Sequence, residues 1–429
     1  MKKGWFGKSL QLCVAGALLL GLAGWVGTGR SAIAAGVSEV KIGLILPLSG
    51  GSAPQGAQSR HASEMAVEEI NAAGGIKSLG GAKLKLVFAD SQTKPQVAVS
   101  EAERLLAQEK VALLVGAYNS GITLPASEVA ERYKKVWFAP VSSDISITRR
   151  GFKYVFRLAE NSETRVQAQL EFIKALDVQA GKKIRTVALV YENTTMGQGN
   201  AIVQRKMVLQ NGWKIVLDEA YDGNAADMSP VIAKIKAANP DVIITANSFM
   251  PTTLMLVKGL KEQKVRPMGI FATSGSQSDP DFLANAGDAA LGTFDVSAWD
   301  PDVNRPFSKE VAKKFQQRYK VPLNNEGSKD YVGIYVVKDV LERAGSLDSE
   351  KIRNAFAATK ITKGIPQMYS KLVQFDSTGT FPGTGSMILV QFLRVNGKVE
   401  RVTVFPKDAA RPGYKAIFPY NYKDKAYAK

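Results

Sequence analysis

Short, nearly continuous apolar runs recur along most of this chain and limit the folds that it can adopt. They occupy residues 40–46, 84–89, 111–115, 186–191, 241–246 and 268–272. Runs of this kind are typical of strands that are buried on both faces of a parallel sheet. Apolar residues with helical spacing lie between them, as at Ala62, Met65, Ala66, Ile70 and Ala73. Strands that alternate with helices predict βαβ units and a doubly wound α/β fold.

This alternation occurs twice, over residues 38–157 and again over residues 162–292. A strand over 293–299 and two helices, over 307–319 and 330–344, are predicted to follow. The sequence therefore predicts two packed α/β lobes that are joined by short crossings.

The last part of the chain is predicted to be rich in β structure. The dipeptide Asn396-Gly397 separates the apolar runs 387–395 and 399–405. Asn-Gly between two apolar runs is a strong signal for a β-hairpin, because both residues accept the positive φ angles of a tight turn.

The N-terminus has the pattern of a secretory leader. Lys2, Lys3 and Lys8 precede an apolar run at 10–26, and small residues follow at 31–36. The pattern predicts a signal peptide over residues 1–35, which is cleaved after Ala34 or Ala35. Gly16, Gly21 and Gly24, with Gly27 just after the run, make it only weakly hydrophobic for a permanent membrane anchor. We therefore expect a mature protein that is exported to the periplasm.

Composition excludes several classes of function. Cys13 is the only cysteine and lies in the leader, so the mature chain has no disulfide and no thiolate metal site. His61 is the only histidine, which excludes most His-rich metal sites, and we expect it to be solvated near the start of a surface helix. The sequence contains no Gly-x-Ser-x-Gly, phosphate-loop, dinucleotide-binding or His-Glu-x-x-His motif. We therefore predict no catalytic residue, no metal and no cofactor.

The net charge of +17 does not indicate a nucleic-acid partner. Lysines and arginines are spread along the chain among acidic residues, and no basic stripe with interleaved aromatics occurs. A charged, solvated surface of this kind favours solubility.

Several segments, in their order and spacing, resemble bacterial branched-chain amino acid binding proteins. They are 42–50 (IGLILPLSG), 66–76 (AVEEINAAGGI), 90–95 (DSQTKP), 115–116 with 125–126, and 286–292 (AGDAALG). The resemblance extends over nearly the whole mature chain. It implies the type I periplasmic-binding fold, in which two Rossmann-like lobes with parallel-type sheets are joined by a three-strand hinge in a Venus-flytrap arrangement.

The same resemblance implies where the lobes begin and end. The hinge crossings would lie near residues 156–161, 294–300 and 374–385. The N-terminal lobe would comprise 38–157 and 300–374, the C-terminal lobe 161–293 and 385–410, and a tail 411–429. Such a protein is expected to be a monomeric receptor that delivers a small ligand to the membrane permease of an ABC importer. A periplasmic sensing module for a signalling partner would share the fold and remains an alternative.

Three loops of the predicted N-terminal lobe are candidates for the ligand site. They cover residues 47–58, 116–121 and 140–144, and each follows a predicted strand. In open α/β sheets, such loops meet helix N-termini at the carboxyl ends of the strands. Backbone N–H groups and the Ser120 hydroxyl can donate to a carboxylate there without a buried counter-cation. The resemblance implies that Ser120, Ser142 and Ser143 hold the carboxylate and amine of the ligand. Tyr118 and Gln55 complete this part of the predicted site, and Gln55 stands where the family often has an aromatic cover.

The resemblance adds five residues from the C-terminal lobe, which are Met196, Ser248, Phe249, Gly275 and Ser276. Family members that bind amino acids usually have an acidic residue at the position of Gly275 or Ser276, where it pairs with the ammonium group of the ligand. The nearest carboxylate here is Asp279. Two aromatic positions of the family are also replaced, by Met196 and by Ser248. The ligand is therefore either a branched-chain or related small amino acid, or a small amide or organic acid, including an aromatic carboxylate.

Overall fold

The apolar runs predicted from the sequence form the strands of two sheets in a computed structural model, which describes residues 37–383 and 385–422. The predicted leader lies outside the described residues. The strands are β1 Glu39–Leu46, β2 Lys83–Asp90, β3 Leu113–Gly116, β4 Trp137–Ala139, β5 Val155–Arg157, β6 Thr186–Glu192, β7 Lys214–Tyr221, β8 Val242–Asn247, β9 Gly269–Gly275, β10 Thr293–Ser297, β11 Lys360–Ile361, β12 Val373–Gln374, β13 Ile388–Val395 and β14 Lys398–Phe405.

Helices connect these strands and cover both sheets. They are α1 Ala53–Ala72, α2 Pro95–Ala107, α3 Ser120–Arg132, α4 Ser162–Gln179, α5 Thr195–Gln210, α6 Ser229–Ala238, α7 Met250–Glu262, α8 Pro280–Ala286, α9 Ser308–Tyr319, α10 Asn325–Ala344 and α11 Ser349–Ala357. Within the described part of the chain, no helix is long and apolar enough to cross a membrane.

The two sheets have the doubly wound arrangement that the sequence predicts. The first has five parallel strands in the order β2-β1-β3-β4-β5. The second has seven strands in the order β14-β13-β10-β9-β8-β6-β7, of which β6 to β10 are parallel. A further pair, β11 and β12, stands apart from both sheets. The α/β prediction is confirmed, whereas the lobe boundaries themselves stay a prediction.

The C-terminal hairpin is also confirmed. β13 and β14 pair antiparallel, and the turn residues Asn396 and Gly397 have φ angles of 49° and 81°. β13 then pairs antiparallel with β10 and so extends the second sheet.

Two of the predicted crossings lie side by side. The backbone N–H of Arg157, at the end of β5, donates to the carbonyl oxygen of Gly379 at 2.9 Å. The N–H of Phe381 donates in turn to the carbonyl oxygen of Arg157 at 2.9 Å. The segments that follow β5 and β12 therefore form a paired ribbon at this point.

The expected environment of His61 is wrong. α1 begins at Ala53, so His61 lies in the middle of the helix. Its ring stacks on that of Tyr319 in α9, with centroids 4.2 Å apart and an interplanar angle of 9°. Burial lowers the pKa of His61. The stacked rings pack α9 against α1 at this point.

Close contact between a strand end and the following helix occurs in both halves of the molecule, by which we mean the five-stranded sheet and the seven-stranded sheet, each with the helices packed on it. A Cβ atom at Gly56 in α1 would lie 2.0 Å from the carbonyl oxygen of Pro47, and one at Gly197 in α5 would lie 2.0 Å from that of Glu192. Only glycine allows this approach, because no real Cβ atom fits at such a distance. The first turns of α1 and α5 are thereby held against the ends of β1 and β6.

We predict that Gly56→Ala lowers the free energy of unfolding by about 1–3 kcal/mol, since the helix must move away from Pro47. Ala57→Ser, on the exposed face of the same turn, is the control and should change stability by less than about 0.5 kcal/mol. Urea unfolding of both variants measures the difference. Equal stabilities would show that the contact carries no constraint.

Candidate functional site

A cavity of ≈ 360 Å³ lies where the carboxyl ends of the two sheets face each other. Its lining comes from the segments that follow β2, β3, β4, β6, β8 and β9 and from the first turns of α4 and α10. Ligands of open α/β sheets bind at this end of the strands, where helix N-termini converge.

The structure brings seven of the ten predicted site residues into the lining of this cavity. They are Tyr118, Ser120, Ser143, Met196, Ser248, Phe249 and Gly275. Gln55, Ser142 and Ser276 lie outside the lining, and each is almost fully buried.

Each of these three residues is buried for a local reason. Gln55 lies within α1, because the helix starts before Pro54 instead of after the predicted loop. The Ser142 hydroxyl donates to the carbonyl oxygen of Ala117 and lies 2.6 Å from the hydroxyl oxygen of Thr123, so it braces the loop after β3. Ser276 begins a short 3-10 turn that ends at Ser278.

The N-terminus of α3 is the best-placed group of hydrogen-bond donors in the cavity. Asn119 precedes it, but its side chain donates to Ser52 Oγ at 3.1 Å and does not cap the helix. The Ser120 hydroxyl accepts the N–H of Asp144 at 3.2 Å, which leaves its own hydrogen to donate elsewhere. The positive end of a helix dipole and these donors suit an anionic group.

Two other helix N-termini at the cavity have side-chain caps, and a carboxylate holds the residues that precede a third. Thr194 caps α5 by accepting the N–H of Gly197 at 3.1 Å, and Asn324 caps α10 by accepting that of Gly327 at 2.7 Å. Glu192 accepts the N–H groups of Ser248 and Phe249, both at 2.6 Å, just before α7. Among the described helices that start at this cavity, α2, α3 and α7 have no side-chain cap. Because α2 begins at Pro95, which has no N–H, and Glu192 holds the residues before α7, α3 is the best placed of the three to bind a ligand.

Glu192 is a buried carboxylate beneath the cavity. Besides the two N–H groups, it accepts the Ser248 hydroxyl at 2.8 Å. Burial raises the pKa of Glu192 to about 7, because the hydrogen bonds that lower the pKa do not offset the loss of solvent. The three hydrogen bonds that Glu192 accepts fix Ser248 and Phe249 in the lining.

Arg165 of α4 is the cation of the cavity lining, and only 4% of its surface is exposed. Its guanidinium donates to Glu160 Oε1 at 2.9 Å and to the carbonyl oxygen of Thr273 at 3.2 Å. Glu160 also accepts Lys329 Nζ at 3.0 Å and the hydroxyl of Tyr369. Burial alone would raise the pKa of Glu160, but Lys329 and Arg165 outweigh it and lower the pKa to about 2.

Direct contacts between the two halves occur beside the cavity. The hydroxyl of Ser278 donates to Glu326 Oε2 in α10, and Asn324 Nδ2 lies 3.4 Å from Asp279 Oδ2. Asp279 also caps α8 by accepting the N–H of Asp281 at 2.9 Å, and it does not line the cavity. Burial raises the pKa of Asp279 to about 6.

Sequence reasoning missed part of the lining. Outside the three candidate loops, the missed residues are Thr93, Pro95, Ile122, Arg165, Asn193, Thr194, Thr195 and Glu326. Asn119, Gly121 and Val141 also line the cavity, and they lie within the candidate loops without being among the ten predicted residues. The polar run 193–195 follows a predicted strand, so the rule used for the other loops would have found it. Arg165 and Glu326 lie inside helices, and only the packing of α4 and α10 brings them to the cavity. No group of acidic, histidine or cysteine side chains in the described residues could hold a metal ion.

Comparisons with known proteins agree with the fold. The model of the family described as "Periplasmic binding protein" matches residues 39–397. The Leu/Ile/Val-binding protein homolog 7 of Brucella suis is 29% identical over 381 residues, which cover 87% of this chain and 93% of the relative.

Two solved structures show the same fold. One is the branched-chain amino acid transporter substrate binding protein LivJ from Streptococcus pneumoniae in complex with isoleucine. It has a TM-score of 0.74 and 22% identity over 86% of this chain and 100% of that one. The other is a solute binding protein of an ABC transporter from Rhodopseudomonas palustris in complex with 3,4-dihydroxy benzoic acid. It has a TM-score of 0.72 and 19% identity over 88% of this chain and 99% of that one.

We predict that Glu160→Gln lowers the free energy of unfolding at pH 7 by about 3–5 kcal/mol, because Arg165 and Lys329 would remain buried without their shared carboxylate. The folded pKa is lowered, so the contribution of Glu160 is present above about pH 4.3 and is lost as the pH falls toward 2. In urea titrations, the difference in the free energy of unfolding between the variant and the wild-type protein should become smaller as the pH falls over that range.

Glu163→Gln is the control for this experiment. Glu163 is exposed and pairs with Arg149 at 2.9 Å on the surface, so its loss should cost less than about 1 kcal/mol. A Glu160 variant as stable as this control would contradict the central role of the buried carboxylate.

Proposed function

Because the chain belongs to the periplasmic binding protein family, we propose that it is the exported solute-binding protein of an ABC importer. It encloses one small amino acid, amide or organic acid between its two halves and delivers this ligand to a membrane permease. The chain is a binding protein rather than an enzyme, as are the members of this family. The observation that carries the proposal is the convergence of seven predicted site residues from both halves on one cavity.

The free donors at the start of α3 support a carboxylate ligand. The helix N-terminus and the Ser120 hydroxyl face the same cavity as the guanidinium of Arg165. Charge-assisted hydrogen bonds from such donors are about twice as strong as neutral ones. The carboxylate of an amino acid or an organic acid is therefore the group that this surface would hold best.

Contacts between the halves support a closing motion. A Cβ atom at Gly51 would lie 2.8 Å from Phe249 Cε1, and one at Gly121 would lie 3.1 Å from Thr195 Oγ1. Glycine on one side of each contact lets the halves approach closely over the cavity. A ligand favours closure only through contacts that it gains in the closed state, and a shift from 1:99 to 99:1 needs about 5.5 kcal/mol of such contacts.

A thermal-shift screen tests the proposed function. The panel contains the common amino acids, small amides and aromatic carboxylic acids, and a ligand should raise the midpoint of unfolding in proportion to the logarithm of its concentration. The absence of any shift in all three classes would contradict the proposal.

We predict that Ser120→Ala weakens binding of the ligand found in this screen by about 1–3 kcal/mol, because a donor to the carboxylate is lost. Ser100→Ala, on the exposed face of α2, is the matched control and should leave the affinity unchanged. Isothermal titration calorimetry of the two variants gives the comparison. An unchanged affinity of the Ser120 variant would remove this hydroxyl from the site.

A further inference from the structure

We propose that Glu326, in the first turn of α10, binds an ammonium group of the ligand and thereby selects zwitterionic amino acids over plain carboxylic acids. The inference rests on the proposed function and names the ligand class of the same cavity. It concerns a position that the resemblance did not indicate, since the acidic residue of amino-acid-binding relatives follows β9.

Glu326 faces the cavity from a fixed position. It is 3% exposed and belongs to the cavity lining. Its Oε1 accepts Asn325 Nδ2 at 2.7 Å, and its Oε2 accepts the hydroxyl of Ser278. These neighbours orient the group, and a carboxylate, which has about four acceptor sites, can accept from several donors at once.

The carboxylate of Glu326 lies next to the place where an acid was expected. The Ser278 hydroxyl that contacts Glu326 is also 2.9 Å from the carbonyl oxygen of Gly275, at the end of β9. Gly275 has no side chain of its own, and a Cβ atom there would lie 2.3 Å from the carbonyl oxygen of Asn247. An acid supplied by α10 thus approaches the end of β9 from the opposite half of the molecule.

The charges near the cavity favour a ligand that brings a cation. Arg165 is the cation of the lining, and it shares Glu160 with Lys329. With Glu326, these residues make two positive and two negative groups, so an added plain carboxylate leaves one unbalanced negative charge. An amino acid adds one charge of each sign and keeps the balance.

Beyond these four charged groups, two more carboxyl groups act on Tyr118 in the cavity lining. Burial raises the pKa of its hydroxyl, three carboxylates raise it further, and Arg165 lowers it. The three carboxylates are Glu326, Asp279 and Glu192. Neither Glu192 nor Asp279 forms an ion pair with a lysine or arginine of the described residues, and burial raises the pKa of both. An ammonium group would supply the positive charge that this region lacks.

Matched pairs of compounds test the inference on the wild-type protein. The common amino acids are compared with their des-amino counterparts, such as L-leucine with 4-methylpentanoate, L-phenylalanine with 3-phenylpropanoate and L-glutamine with 4-carbamoylbutanoate. In calorimetry, the best amino acid should bind at least about 30-fold more tightly than its counterpart, since a buried charge-assisted contact is lost.

Glu326→Gln should reduce the preference for the amino acid over its des-amino counterpart to less than about threefold. The main cause should be a loss of at least about 30-fold in the affinity for the amino acid. Glu262→Gln, at the exposed far end of α7, is the matched control and should keep the wild-type preference. The melting temperature of each variant without ligand shows whether it is folded, and the wild-type comparison does not depend on either variant.

Three outcomes would overturn the inference. They are equal or tighter binding of des-amino acids by the wild-type protein, an unchanged preference in a folded Glu326 variant, and binding of amides or aromatic acids without binding of any amino acid. In each case the protein still binds a small ligand, so the proposed function stands. A failure to bind any compound would contradict the proposed function as well.

Discussion

The buried carboxylate of Glu160 holds together the segments that meet between the two sheets. It lies just after β5, where the chain leaves the first sheet, and it binds Arg165 of α4, Lys329 of α10 and the hydroxyl of Tyr369. These partners come from both sides of the crossing. Because two cations share one acid in a region without solvent, none of the three can move independently at low cost. Arg165 therefore presents its guanidinium to the cavity from a position that the crossing itself determines.

The loops around the cavity depend on a second constraint, which both halves share. Gly56 and Gly197 bring the first turns of α1 and α5 onto the ends of the preceding strands. The polar groups that follow these strands are then held within a narrow layer between the sheets. The cavity combines free donors at α3 with the acid of α10, and each group is fixed by packing that lies behind it. This arrangement explains how small loops of serine, threonine and glycine can form a defined surface.

The strands and the hairpin could be predicted from the sequence because burial on both faces and the Asn-Gly turn leave strong local signals. β7 could not, since Lys214–Tyr221 is an edge strand whose residues are mostly exposed or half-buried. The start of α1 was placed too late because Pro54 was treated as part of a loop, although proline is favoured in the first turn of a helix. The serines of the site followed from loop position and resemblance. Arg165 and Glu326 could not be found in this way, because their place in the cavity depends on contacts between distant segments.

A disulfide across the cavity tests most directly whether the two halves close around a ligand. A Cβ atom at Gly121 would lie 3.8 Å from Thr195 Cβ, which is the usual separation in a disulfide, and Cys13 is the only cysteine of the sequence. The ligand with the largest thermal shift should accelerate oxidation of the Gly121→Cys, Thr195→Cys variant and remain trapped after dialysis. Protein that is oxidised without ligand should bind none until it is reduced. Equal oxidation rates with and without ligand, together with normal binding by the oxidised protein, would contradict closure around the ligand.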